Sequence, residues 1–148
     1  MKKWICGLMI SGLLSGLGTA SLQAQSKAAK EDLDRRANDV NDIVKKEKKD
    51  DLAMRAVSNE TGVPLGEVEN MYHKHKTAAG VLIACVLADE TKRPPEEFLG
   101  KRSSGSSWAA LARENRVSLD KIYGRLDHLE RDLAKGTVTD RQRVIIKR

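Results

Sequence analysis

Leu33, Ala37, Val40 and Val44 recur at steps of four, three and four, drawing one thin apolar stripe through an otherwise charged stretch. That spacing predicts a helix with a narrow seam over residues 26–51. The run Lys45-Lys46-Glu47-Lys48-Lys49-Asp50-Asp51 then breaks the stripe. Two heptads at most are present, too few for a coiled coil. Residues 25–51 therefore read as a charged, solvated helical arm, or a linker, ahead of a compact domain over residues 52–136.

Within that domain the apolar pattern predicts a succession of short helices. Leu52, Ala53, Ala56 and Val57 form one, ended at Thr61-Gly62, where glycine can take the left-handed conformation. Pro64 suits the first turn of the next, with Glu67 in the N-terminal region that favours negative charge. Residues 78–89 are apolar nearly all round, which places that helix in the centre. Pro94 and Pro95, followed by Glu96 and Glu97, open another, with Phe98 and Leu99 inside it. Residues 101–106 read as a Gly/Ser-rich loop. A short helix over residues 108–115 follows. Ser118 is placed to cap a longer one whose seam is Leu119, Ile122, Leu126, Leu129 and Leu133, ending at Gly136. Residues 137–148 form a basic tail. No stretch alternates as a strand would, so the expected fold is all-α: a small bundle of about six short helices.

Three segments of the domain align without gaps. Val57, Leu87 and Leu111 correspond, as do Glu60, Glu90 and Glu114. Thr61, Thr91 and Asn115 match, then Pro64, Pro94 and Ser118, then Val68, Phe98 and Ile122. Each unit reads as a repeated helical corner: helix, tight turn, helix. In the third, Trp108, Ala112, Val117 and Ile122 fall where they give a segment that resembles the helix-turn-helix of DNA-binding regulators. That resemblance covers residues 108–126 and implies that Ala112, Val117 and Ile122 pack the corner. It also implies that Lys121 and Arg125 of the second helix would reach phosphates, beside Leu119 and Asp120. Arg116 stands where that family usually has a turn glycine. The Gly-x-x-Trp-x-x-Leu-Ala spacing of Gly105, Trp108, Leu111 and Ala112 is also similar to segments of small exported bacterial helical proteins, a similarity that implies no activity.

Composition changes the picture at the two ends of the chain. Met1, Lys2 and Lys3 precede an apolar run from Trp4 to about Leu17, then small residues lead to Ala20 and Ala24. This is the pattern of an export signal over residues 1–24, too short for a membrane span. The expected address is periplasmic or secreted, with cleavage after Ala20 or Ala24. The formal net charge is +6. It is unevenly spread: residues 101–148 hold twelve basic and six acidic residues, net +6, while residues 52–100 hold five and seven, net −2. A cationic C-terminal third points to an anionic partner, an envelope component or an acidic protein. Export would remove nucleic acid from the list. A homodimer through the seam from Leu119 to Leu133, or through Cys85, is a further expectation. With Cys6 inside the signal, Cys85 has no intrachain partner, and its apolar neighbours read as core.

Candidate chemistry is sparse. His73 and His75 lie two apart and do not share a helix face; a metal site would need His128 or a distant carboxylate. The serines at 103, 104, 106 and 107 lack the pattern of a hydrolase elbow, and Ser106 or Ser107 is placed to cap the next helix. Asp89/Glu90 and Glu96/Glu97 are adjacent pairs that point apart, the latter at a helix start. A cell-wall-acting enzyme would have to draw on Glu96, Glu97 and His128. No cofactor and no catalytic group is expected. The expected binding residues are Lys101, Arg102, Trp108 and Arg113, with Lys121 and Arg125 for phosphate.

Overall fold

The computed structural model describes residues 19–138, with side chains from Asp32 onward. The expected basic start and apolar run, and the tail from residue 139, lie outside the described residues. Among the described residues the protein is all-helical, without strands. Its seven helices are α1 Thr19–Lys46, α2 Asp50–Thr61, α3 Leu65–His75, α4 Ala78–Thr91, α5 Pro95–Ser103, α6 Trp108–Glu114 and α7 Leu119–Lys135. No described helix is long and apolar enough to cross a membrane. The helical arm expected over residues 25–51 is α1, which begins upstream of both expected cleavage points.

The expectation of a solvated arm is corrected by the packing of α1. Leu33, Ala37, Val40 and Val44 are all buried, at 0–2% exposure, and α1 lies against α4, α6 and α7. A four-residue stripe is enough to bury one helix face when its neighbours supply the rest of the apolar surface. Polar groups fix the register: Arg36 donates bidentately to Glu130 of α7, at 3.2 Å and 2.9 Å, and also pairs with Asp127.

α4 is the centre, as its uniform apolarity predicts. Every residue from Ala78 to Ala88 is buried, and α1, α2, α3, α5 and α7 all touch it. The seam of α7 closes the opposite side: Ile122, Leu126, Leu129 and Leu133 are 0–1% exposed and Leu119 packs at the edge. Dimerisation through that seam is therefore corrected, because the seam is spent inside the monomer.

The turns after α2, α4 and α6 share one geometry. Thr61, Thr91 and Asn115 each donate a side-chain hydrogen bond to the carbonyl four residues back, all at 2.7 Å. The next residue is left-handed: Gly62 at φ 75°, Lys92 and Arg116 at φ 57°. In the α6–α7 corner it comes immediately after Asn115; Val117 then donates to the Ala112 carbonyl at 2.8 Å, closing the turn. An extended residue, Pro64, Pro94 or Ser118, starts the following helix. Ser118 occupies the cap position without a side-chain cap bond. Ser107 does cap α6, accepting from the Ala110 N–H at 3.2 Å. The expected loop over residues 101–106 is shorter, since Lys101, Arg102 and Ser103 continue α5. A non-glycine residue pays a steric cost in the left-handed region. Arg116→Gly should therefore raise stability by about 0.5–1 kcal/mol, the relief of strain exceeding the extra freedom of glycine in the unfolded chain. A urea melt of the two proteins checks this.

Candidate functional site

A cleft of about 340 Å³ is framed by α1, the α3–α4 turn, the end of α5 and the start of α6. Its floor is apolar, from Ala37, Leu99 and Trp108. Its walls are polar, and the polarity follows from local helix chemistry. Thr77 caps α4, its hydroxyl accepting from the Gly80 N–H at 3.0 Å. Gly80 is required there, because a Cβ would stand 2.6 Å from the Thr77 methyl carbon. Asn41 of α1 completes the junction, donating to the Thr77 hydroxyl at 2.8 Å and accepting from the Ala79 N–H at 3.0 Å. These neutral bonds already occupy the Ala79 and Gly80 amides of α4, and the side chains around the rim are the charged groups that face the cleft.

On the α5 side, Arg102 donates to the Ser106 carbonyl at 3.2 Å, stands 3.7 Å from the Asp34 carboxylate and lies over the Trp108 ring at 5.9 Å. Trp108 is anchored from beneath, its backbone N–H donating to Asp34 at 3.1 Å. It is 3% exposed, a core residue whose edge reaches the cleft. On the opposite walls, Lys45 and Lys76 carry ammonium groups with no hydrogen-bond or ion-pair partner among the described residues. Asp42 is the acidic residue of the lining, which His75 also joins. His75 faces Glu96 at 3.3 Å, and Lys74 reaches the same carboxylate at 3.2 Å. Burial would raise the Glu96 carboxyl, but the hydrogen bonds from Lys74 and His75 prevail and hold it below its usual value.

Of the sequence-predicted residues, the structure brings together Arg102 and Trp108. The other four lie elsewhere. Lys101 pairs along α5 with Glu97 at 3.2 Å, and Arg113 is exposed on α6. Lys121 and Arg125, expected to reach phosphate, are each paired with a carboxylate: Lys121 with Glu90, while Arg125 donates to the Glu60 carboxylate at 2.7 Å and its carbonyl at 2.9 Å. These bonds join α7 to α4 and α2. The acids involved, Glu60 and Glu90, occupy equivalent places in the aligned segments. Lys45, Lys76 and Asn41 were missed by sequence reasoning. Lys45 is masked by its charge run; Thr77 before an apolar run was the available sign of the junction.

Cys85 sits under Glu60, Lys121 and Arg125, beside a pit of about 30 Å³, room for little more than one water. Burial, aided by Glu67, pushes its thiol up to about 12. The thiolate population at pH 8 is then about a thousandfold below that of an ordinary cysteine. Cys85 should resist a thiol reagent in the native protein and react once denaturant unfolds it, with labelling tracking the unfolding curve. Rapid native labelling would show that the α2–α4–α7 junction opens. A disulfide-linked dimer through Cys85 would require the same opening. Among the described residues no cluster of three His, Cys, Asp or Glu is placed to hold a metal. No known protein family, curated protein or solved structure matches the chain.

Proposed function

We propose that this chain is an exported, non-enzymatic binding or adaptor protein of the bacterial envelope whose partner is anionic. The observation that carries the reading is the cleft at α1 and α5, where Lys45 and Lys76, without an ion-pair partner among the described residues, stand beside Arg102, against one lining acid, Asp42. Together with the net charge of +6 it favours negative ligands. The Lys2-Lys3 start, apolar run and small residues up to Ala24 support export. The three corners, with matching side-chain-to-carbonyl bonds and left-handed residues, support their reading as copies of one unit, a scaffold rather than a catalytic device. Cell fractionation with mass spectrometry of the N-terminus tests the address: a periplasmic or secreted product starting at Ser21 or Gln25 is expected. Retention of that product on envelope material at low salt, with release as salt rises, tests the partner. A cytoplasmic product with its N-terminus intact, not retained, would overturn the reading.

A second reading, nucleic-acid binding through the α6–α7 corner, is favoured by one observation: Arg116 has the left-handed backbone that a helix-turn-helix glycine supplies. It requires Lys121 and Arg125 to leave Glu90 and Glu60. Duplex binding that weakens with salt and is lost on changing both to alanine is its test.

A further inference from the structure

We propose that the cleft between α1 and α5 takes a small ligand bearing a phosphate group. The inference rests on the binding-protein reading above and names the chemistry of the ligand. Its volume, about 340 Å³, lies at the lower end of the range for small-molecule sites. What sets its lysines apart is their placement in one cleft. Lys49, Lys74, Lys92, Lys101 and Lys121 each reach a carboxylate. Among the described residues Lys45 and Lys76, like Lys46, Lys48 and Lys135, reach none, and these two come from separate elements to line one concavity. Two ammonium groups facing one space repel, and a dianion between them removes that repulsion. Phosphate monoesters carry nearly two negative charges at neutral pH, and lysine binds phosphate as a point charge. Arg102, tied to Ser106 and the Trp108 face and 3.7 Å from the Asp34 carboxylate, adds a third, partly neutralised cation.

Two further features limit the ligand's size and kind. The Asp42 carboxylate repels a long polyanion laid along α1. The Asn38 amide, also in the lining, offers hydrogen bonds to a neutral portion such as a hydroxyl. The shared chemistry is a phosphate group on a compact body, supplied as free phosphate or as a small phosphate ester.

The test is an NMR titration of the full chain with glycerol phosphate, and separately with inorganic phosphate, read at the Lys76 and Thr77 amides and the Trp108 indole. Saturable shifts at these signals, with a dissociation constant of order 1 mM or tighter, are expected. Binding should weaken at least tenfold in the double variant K45E/K76E. Both lysines are exposed, so the variant should fold, and its circular dichroism melt verifies that. Saturation by inorganic phosphate alone supports the proposal with the free ion as source; a requirement for glycerol phosphate supports it with an ester as source. Three outcomes overturn it: no saturation by about 10 mM of either probe, equal binding in the double variant, or binding only to vesicles of anionic phospholipid. No saturation by either probe, with the parent chain still retained on envelope material at low salt, would end this proposal and leave the broader binding-protein reading standing.

Discussion

Leu33→Ala should destabilise the protein by about 2–5 kcal/mol, whereas Ile43→Ala on the same helix should change stability by about 0.5 kcal/mol or less. Leu33 is 0% exposed, and Ile43 is 37% exposed on the outer face of α1. Truncating Leu33 removes apolar contacts and leaves a cavity between α1 and its neighbours, which the close-packed surroundings fill only in part. Against a typical total of about 5–15 kcal/mol, the larger loss is a substantial share of the stability. Urea unfolding of the two variants and the parent measures both effects. Equal, small effects would mean that α1 is a detached arm and that the cleft, which needs α1 as a wall, does not persist in solution.

Arg125→Ala should cost about 2–3 kcal/mol, more than twice the loss from Lys121→Ala. The two residues lie one helical turn apart on α7 and both pair with a glutamate, so sequence alone ranks them together. Their surroundings separate them. Glu60 has a side chain only 5% exposed and depends on Arg125, with His128 at 2.9 Å as its further named partner. Removing Arg125 leaves a largely buried carboxylate short of one of its charged partners. Lys121 and Glu90 are 42% and 35% exposed, so water replaces either partner at small cost, about 0–1 kcal/mol. Adding Glu60→Gln to Arg125→Ala removes the buried charge and should recover about half of the loss. Thermal melts of the three variants decide the matter. A loss from Arg125→Ala no larger than that from Lys121→Ala would restore Arg125 as a free surface cation, and with it the phosphate role suggested by the helix-turn-helix resemblance.

Much of the fold was legible because its signals are local. Gly62 and Gly136 end their helices in the left-handed conformation, Pro95 opens α5, and Ser107 caps α6. Each depends on the dihedral preferences or reach of one side chain within a few residues. The unbroken apolar run at residues 78–88 needed no partner to announce a central helix. The site was legible only at Arg102 and Trp108, where a cation and an aromatic stand six apart in sequence around a loop. Lys121, Arg125 and Lys101 look like Arg102 in sequence, a cation on an amphipathic helix. Whether such a cation is free depends on carboxylates 31, 65 and 4 residues away respectively, and the two distant ones leave no periodic trace.

The sequence by itself determined the all-helical class, the places where helices start and stop, and the composition of the core, because backbone preference and apolar periodicity act over one or two turns. Tertiary structure decided the rest. It made a thinly striped charged segment into a core helix, since burial of a stripe depends on the surface offered by α4, α6 and α7. It spent the α7 seam inside the monomer. It paired Lys101, Arg102, Lys121 and Arg125 of the C-terminal third with carboxylates and placed Lys45 and Lys76, which have no such partner among the described residues, around one cleft, because electrostatic pairing at close range is a property of three-dimensional neighbours and not of the charge count along the chain.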